Sequence, residues 1–192
     1  MTIYLIAGHA GTGKSTLGRA LAAHLRCAVL DKDTMCRPLV EACNAALGVD
    51  PHDRASATYL NRVRPLEYAA LHDTIFEVAV GAGDVVAVAP WLGYVDDPAW
   101  AAEMGAQARR TGHGVVVVWA TCTDAALKGR LARRDDPADW SKLDSWTDFV
   151  DGRAAAAPAF ADMVIDTTVA PVRDSVAEVL TAAGHDHRSR VR

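Results

Sequence analysis

The sequence feature that most constrains the fold is a glycine-rich run close to the first residue. Residues 8–15 follow the spacing G-x-x-x-x-G-K-S, and a threonine comes next. The apolar, partly β-branched segment 3–7 before the run predicts a buried strand. Apolar residues at helical spacing from Leu17 to Leu25 predict an amphipathic helix after it. A strand, a glycine loop and a helix in this order are the context of a phosphate-binding loop.

This loop has the groups that bind a nucleotide. Its glycines let the backbone turn tightly and direct N–H groups at an anion, and the start of the following helix adds a positive dipole end. We expect Lys14 to contact the β- and γ-phosphates of ATP as a catalytic residue, and the Ser15 hydroxyl to bind Mg²⁺. The predicted nucleotide-binding residues of the loop are Gly8, His9, Ala10, Gly11, Thr12, Gly13, Lys14, Ser15 and Thr16.

Five predicted strands alternate with predicted helices along the chain. The strand segments are 3–7, 27–30, 84–89, 115–120 and 163–166. This alternation predicts an α/β fold with a parallel sheet and helices on both faces, in a single domain that spans residues 1–184. Ligands of such sheets bind beyond the carboxyl ends of the strands, so site residues are expected directly after each strand.

An acidic pair follows the second predicted strand. A nucleotide site needs a carboxylate near Mg²⁺, and Asp84 and Asp124 are badly placed for it, at the start of a strand and of a helix. Asp31 and Asp33 lie two residues apart, which on an extended segment places both on one face. We assign Asp31 to Mg²⁺ and Asp33 to the acceptance of a proton from a substrate hydroxyl. The two roles can be exchanged, and one carboxylate can instead cap the helix at Thr34.

Several basic residues are candidates for binding the transferred phosphate or the acceptor substrate, and two of them follow the fourth predicted strand. Arg130 and Arg134 are four residues apart on one predicted helix face, where they can stabilise charge on a transferring phosphoryl group, and Arg130 can also contact the nucleotide. The polar segment from about 133 to 143 is predicted to be a mobile lid. Arg37, Arg64 and Trp91 are assigned to the acceptor substrate, although a surface role for an arginine and a core role for Trp91 remain open.

Composition narrows the class of protein. The chain has 192 residues and a formal net charge of −4, without a long basic run, which disfavours dedicated nucleic-acid binding. The four cysteines lack metal-ligand spacing and predict reduced thiols in a cytoplasmic protein. Neither a signal peptide nor a membrane span is expected. The basic segment 185–192 is predicted to be a disordered tail.

Nearly the whole chain resembles the small P-loop kinases. The resemblance is carried by residues 8–16, 30–34, 59–65, 88–91, 127–134 and 164–167. The group includes shikimate kinase, gluconate kinase, chloramphenicol phosphotransferase and the kinase domain of polynucleotide kinase, together with bacterial AAA-type ATP-binding proteins of the zeta-toxin type. The resemblance implies a P-loop NTPase three-layer α/β/α fold with strand order 2-3-1-4-5 and a lid after the fourth strand.

The sequence is compatible with three functions. The first is an ATP-dependent kinase that phosphorylates a hydroxyl of a small molecule, which could be a metabolite, a sugar, a nucleoside or an antibiotic. The second is a nucleic-acid end kinase, which the slightly acidic composition disfavours. The third is a non-catalytic ATP-binding or ATPase switch, and the acidic pair argues against it because a switch needs no acceptor base. The sequence indicates neither the acceptor nor the oligomeric state.

Overall fold

A five-stranded sheet forms the centre of the molecule, in a computed structural model that describes residues 1–81, 83–153 and 157–184. Its strands are β1 (Thr2–Ala7), β2 (Ala28–Asp31), β3 (Val85–Val88), β4 (Gly114–Thr121) and β5 (Met163–Asp166). The order across the sheet is β2-β3-β1-β4-β5, and every neighbouring pair is parallel. The fold class and the strand order predicted from the sequence are confirmed.

Helices connect the strands and cover both faces of the sheet. Within the described residues they are α1 (Lys14–Leu25), α2 (Lys32–Ala46), α3 (Arg64–Gly81), α4 (Pro98–Arg110), α5 (Asp124–Arg134), α6 (Pro137–Asp144), α7 (Trp146–Asp151) and α8 (Val172–Ala182). A π-helix at Tyr59–Val63 leads directly into α3. Pro65 follows this π-helix and has no N–H to donate, and the turn before it is widened, with the Arg64 N–H bonded to the Tyr59 carbonyl.

The two faces of the central strand build two separate cores. Ile3 and Leu5 are fully buried among residues of α3 and α4, whereas Tyr4 and Ile6 are fully buried among residues of α1 and α8. This alternation follows from the two-residue period of a strand, and it explains why β1 is apolar throughout. α1 packs closely on the sheet, since a Cβ added at Gly18 would lie only 2.4 Å from Cγ2 of Val88.

The predicted lid segment, from about 133 to 143, is largely helical. Asp136 caps a helix that begins at Pro137. The Asp136 carboxylate accepts a hydrogen bond from the Ala138 N–H at 3.0 Å, and a proline in the first turn costs no backbone hydrogen bond. The predicted lid segment therefore contains the helix α6.

Three further sequence expectations can be compared with the structure. Across the part of the chain that the structure describes, no helix combines the length and the apolarity that a membrane span requires. The four cysteines are free thiols. The predicted basic tail at 185–192 lies outside the described residues.

Candidate active site

The phosphate-binding loop connects β1 to α1 with a backbone that glycines make possible. Gly8 has a φ of +139°, and Gly13, which caps α1, has a φ of +85°. A side chain at Gly8 would place its Cβ 2.4 Å from the Ala120 carbonyl oxygen, so this position needs glycine for its conformation and for space. The turn brings the N-terminus of α1 to the carboxyl edge of the sheet, where its free N–H groups can bind an anion.

Hydrogen bonds inside the loop hold Lys14 close to the backbone. The His9 carbonyl accepts from the Thr12 hydroxyl at 2.9 Å and from Nζ of Lys14 at 3.3 Å. Lys14 is 7% exposed, and burial lowers the pKa of its ammonium group, an effect that the nearby Asp33 opposes. Burial thus disfavours the charged form of Lys14 and Asp33 favours it, and the position of the side chain beside the loop suits it to bind phosphate oxygens.

The side chain of His9 takes no part in these contacts. Its ring meets the Trp119 ring edge-on with centroids 5.5 Å apart, and its Nε2 is buried without a hydrogen-bond partner among the described residues. Burial, with the positive charges of Arg153 and Lys14, lowers the pKa of His9 to about 4. The imidazole is therefore neutral at physiological pH, and His9 contributes to the loop through its carbonyl.

Arg130 binds the loop itself as well as lining a cavity. Its guanidinium donates to the Gly11 carbonyl at 3.4 Å and to the hydroxyl and carbonyl of Thr167 at 2.9 and 2.6 Å. The Thr167 hydroxyl in turn donates to the Thr12 carbonyl at 2.7 Å. Thr167, the residue directly after β5, is a site residue that the sequence analysis did not assign. It connects α5 to the loop through Arg130.

A cavity of about 370 Å³ opens beside the loop. It is lined by Gly11, Gly13, Lys14, Ser15, Thr16, Leu17, Arg130, Arg134, Thr167, Ala170, Val172 and Ser175. Its volume falls within the range of small-ligand pockets, and its wall contains six of the predicted nucleotide-binding residues. We refer to it as the nucleotide cavity.

A second cavity of about 200 Å³ lies on the other side of Lys14. Its wall includes the predicted residues Lys14, Asp33, Arg37, Arg64 and Arg134. The remaining lining residues are His9, Ala10, Lys32, Arg54, Tyr59, Leu60, Glu67, Tyr68, Pro90, Leu92, Asp136, Ala138, Asp139, Lys142 and Phe149. Lys14 and Arg134 belong to the walls of both cavities, and we refer to the second one as the acceptor cavity.

The two carboxylates after β2 have different environments. Oδ1 of Asp31 accepts from the N–H groups of Asp33 and Thr34 at 3.1 and 3.4 Å, so Asp31 caps α2. Only Oδ2 of Asp31 remains for other contacts, and Arg19 approaches it at 3.5 Å. The side chain of Asp33 is half exposed and lines the acceptor cavity. The cap weighed as an alternative in the sequence analysis therefore applies to Asp31, and Asp33 is the accessible carboxylate.

Asp33 is ionised and held by a buried network. Burial alone would raise the pKa of Asp33, but the charges of Lys32 and Lys14 lower it below its usual value. Nζ of Lys32 lies 3.0 Å from Asp33 and 2.5 Å from Oε1 of Glu67. Tyr59 donates its hydroxyl to the other Glu67 oxygen at 2.7 Å. Lys32, Glu67 and Tyr59, none of which the sequence analysis assigned, thus fix the carboxylate of the predicted base.

The lid helix α6 is joined to both sides of the acceptor cavity by ion pairs. Arg37 of α2 binds Asp136 at 2.8 Å, and this hydrogen-bonded pair is the main reason why the pKa of Asp136 falls to about 2. Arg134 binds Asp139, which also pairs with Lys142 at 2.9 Å. Arg37 and Arg134 are therefore bound to lid carboxylates in this structure. The mobility of the lid stays a prediction.

Trp91 lies in the core, whereas the sequence analysis assigned it to the substrate. It is 1% exposed, and its ring contacts those of Tyr68, Tyr94 and Trp100 at centroid distances of 5.4, 6.4 and 5.5 Å. Its backbone N–H donates to the Tyr68 hydroxyl at 3.0 Å. The residues on either side of it, Pro90 and Leu92, line the acceptor cavity instead. The contacts of Trp91 with these three rings pack the core next to the cavity wall formed by Pro90 and Leu92, so Trp91 contributes through packing.

The fold and the glycine loop define this chain as a P-loop protein with a five-stranded parallel sheet. Residues 3–152 match the family model described as an AAA domain, and the chain belongs to that family. Comparison with curated protein sequences finds no significant match.

Solved structures of small-molecule kinases share the fold. A gluconokinase from Sinorhizobium meliloti is 16% identical with a TM-score of 0.59, covering 95% of this chain and 91% of its own. Shikimate kinase from Bacteroides thetaiotaomicron is 19% identical, with a TM-score of 0.59 and coverages of 95% and 98%. The APS kinase of Mycobacterium tuberculosis, in complex with AMPPNP and APS, is 18% identical, with a TM-score of 0.58 and coverages of 95% and 97%. The resemblance to P-loop small-molecule kinases predicted from the sequence is confirmed at the level of the fold.

Proposed function

We propose that the protein is an ATP-dependent phosphotransferase that moves the γ-phosphate of Mg·ATP to a hydroxyl of a small molecule. The observation that carries this proposal is the meeting of two cavities at Lys14 and Arg134. A protein that only binds or hydrolyses ATP needs the first cavity alone. The second cavity, with an ionised Asp33 in its wall, supplies a place for an acceptor on the far side of the phosphate-binding lysine.

The nucleotide half of the proposal depends on the loop and on the residues around it. The N-terminus of α1 and Lys14 bind the phosphates, and Arg130 with Thr167 keeps the loop in place. The APS kinase that shares the fold is in complex with AMPPNP, an ATP analogue, which supports ATP as the ligand of this chain. We assign the base and ribose to the remainder of the nucleotide cavity, towards Ala170 and Val172.

The donor set beside the loop fits Mg²⁺. Mg²⁺ retains several waters and uses one or two carboxylates together with substrate phosphates, so it needs few protein ligands. The Ser15 hydroxyl in the nucleotide cavity and the Asp31 oxygen that is not used by the helix cap would hold the ion. When bound, Mg²⁺ neutralises charge on the β- and γ-phosphates.

Asp33 and the shared cations perform the transfer on the acceptor side. The substrate hydroxyl gives its proton to the Asp33 carboxylate, its oxygen bonds to the γ-phosphorus, and the bond from that phosphorus to the β–γ bridging oxygen breaks to release ADP. Lys14 and Arg134 stabilise the negative charge that develops on the transferred group. The pKa of Asp33 lies below its usual value, so the carboxylate is ionised at neutral pH and has a free lone pair for the proton that leaves the hydroxyl in the transition state.

The size and enclosure of the acceptor cavity support a small acceptor. Its volume of about 200 Å³ lies below the usual range of drug-sized ligand pockets, which favours an acceptor with few heavy atoms, and residues of α2, α3 and α6 surround it. The proposal is tested by incubating the protein with Mg·ATP and a library of hydroxyl-bearing metabolites, and by detecting the phosphorylated product by mass spectrometry. We expect one class of metabolite to gain a phosphate in the wild type and not in Lys14→Ala. Turnover that depends on DNA or RNA ends, or only on a protein partner, would refute it.

A further inference from the structure

Positive charge exceeds negative charge in the wall of the acceptor cavity. Seven basic side chains line the cavity, namely Lys14, Lys32, Arg37, Arg54, Arg64, Arg134 and Lys142. Four acidic side chains line it, namely Asp33, Glu67, Asp136 and Asp139. The meaning of this excess depends on which cations already have a partner in the protein.

Each of the four wall carboxylates is engaged by a wall cation. Asp33 and Glu67 share Lys32, at 3.0 and 2.5 Å. Asp136 pairs with Arg37 at 2.8 Å. The fourth, Asp139, is bound by Arg134 and by Lys142. All four wall carboxylates thus have a basic partner from the same wall, and Lys14 is assigned to the phosphates of the nucleotide.

Arg54 and Arg64 remain, and neither forms an ion pair with any residue in the described ranges 1–81, 83–153 and 157–184. Arg54 donates to the carbonyls of Pro51 and Asp53 at 3.0 and 2.7 Å, and its guanidinium lies 5.5 Å from the centroid of the Tyr59 ring. Nε of Arg64 is buried and has no hydrogen-bond partner within the same ranges. A buried N–H without an acceptor is costly, and native proteins contain few of them.

We propose that the acceptor substrate carries an oxyanion group, a carboxylate or a phosphate ester, which Arg64 binds with the help of Arg54. This inference rests on the proposed function and specifies its substrate class: a small acidic alcohol. The planar guanidinium matches carboxylate and phosphate oxygens in a two-pronged contact, whereas a neutral hydroxyl can accept one hydrogen bond from Arg64 but neither matches both prongs nor balances the charge.

The arrangement of charges separates the two ends of this substrate. Arg54, Arg64 and Asp33 line the acceptor cavity and are absent from the wall of the nucleotide cavity, whereas Lys14 and Arg134 line both. An anion on Arg64 would therefore lie in the acceptor cavity, and the hydroxyl of the same molecule would face Asp33.

The first test measures anion binding without turnover. Sulfate is titrated by calorimetry into protein saturated with Mg·AMPPNP, so that the phosphate loop is already filled. We expect a sulfate site in the wild type whose affinity falls at least tenfold in Arg64→Gln and less in Arg64→Lys. The matched control is Arg62→Gln, because Arg62 is exposed and is not part of the cavity wall. Equal sulfate affinity in Arg64→Gln and Arg62→Gln, with circular dichroism showing both variants folded, would overturn the proposal.

The second test sorts the acceptors found in the metabolite screen. We expect the acceptors with the highest kcat/KM to carry a carboxylate or a phosphate ester, and matched sets such as gluconate, glucose 6-phosphate and sorbitol separate these two sources from a neutral polyol. Arg64→Gln should raise the KM for the acidic acceptor at least tenfold with a smaller change in kcat. A neutral best acceptor whose KM is unchanged in Arg64→Gln would refute the inference.

The two proposals fail in different ways. Failure of Mg·AMPPNP to bind would contradict the proposed function. Without nucleotide, sulfate should occupy two sites in the wild type, the loop and Arg64, and one site in Arg64→Gln. This difference decides the anion site even in a protein that does not transfer phosphate.

Discussion

Substituting Lys32 by methionine would test whether the buried network that holds Asp33 is structural as well as functional. The side chains of Lys32 and Glu67 are each 4% exposed, and their charged atoms lie 2.5 Å apart. Burial opposes the charge of Lys32, yet Asp33 and Glu67 raise the pKa of Lys32 above its usual value. The lysine is therefore charged in the folded protein, and methionine replaces it with a neutral side chain of similar length.

The expected loss of stability can be derived from this geometry. Removal of one partner of a buried ion pair leaves an uncompensated buried charge, which costs about 3–5 kcal/mol of unfolding free energy. In a chain of this size 1 kcal/mol corresponds to about 2–4 °C in Tm, so Lys32→Met should lower Tm by about 6–20 °C. The Tyr59 hydroxyl still donates to Glu67 in the variant, which places the result towards the lower part of this range.

The double variant Lys32→Met/Glu67→Gln is the decisive comparison. Glutamine removes the buried negative charge but retains an oxygen that can accept from Tyr59, so most of the lost stability should return. The assay is urea unfolding followed by tryptophan fluorescence and circular dichroism, on the wild type, the two single variants and the double variant. A Lys32→Met protein within 1 kcal/mol of the wild type, or a double variant no more stable than Lys32→Met, would refute the reasoning about a buried ion pair.

Four further predictions concern the loop, the base and the lid. Lys14→Ala should remove most ATP affinity, measured by calorimetry, while circular dichroism shows an intact fold. Asp33→Asn should leave ATP affinity within a few-fold and reduce transfer by about 10²–10⁴-fold, because an amide cannot take the proton; full transfer would exclude a base role. Arg37→Ala should increase hydrogen exchange in residues 133–143, since it removes the partner of Asp136, and unchanged exchange would show that this pair does not hold the lid. The pKa of Asp136 is lowered to about 2 in the folded protein. The ionised Asp136 therefore contributes fully to the unfolding free energy above the unfolded pKa of about 3.9, and this contribution is lost as pH falls towards 2. The difference in unfolding free energy between the wild type and Asp136→Asn should shrink as pH falls from about 5 to about 3.

Features that depend on neighbouring residues in the chain could be predicted from the sequence. The glycine loop was recognisable because strand, turn and helix are consecutive. α4 begins at Pro98 because Asp97 caps it through the Ala99 N–H and proline fits the first turn, so neighbouring residues alone mark its start. The same signal, an aspartate before a proline, stands at Asp136 in the predicted lid segment, and it starts α6 in the same way.

Features that depend on distant residues could not be predicted. Lys32 and Glu67 are separated by 35 positions, and no periodicity in either segment indicates which faces of α2 and α3 meet. The acidic pair was found, but its division of roles required the backbone of α2, which engages Asp31 as a cap. The sequence analysis assigned Trp91 to the substrate and left a core role open; its exposure of 1% favours the core role, because position after a strand predicts nearness to the site and not the direction of the side chain.

The hydrogen bonds of Arg130 and Thr167 show that residues beyond the family match support the phosphate-binding loop. The family match stops at residue 152, yet β5 and α8 lie beyond it, and Thr167 supports the loop backbone at Thr12. Ala170, Val172 and Ser175 complete the wall of the nucleotide cavity. A chain shortened to the matched segment would retain every residue of the glycine motif and still lose one side of the nucleotide cavity. The segment that forms this cavity therefore reaches at least to Ser175, which lies 23 residues beyond the end of the family match at residue 152.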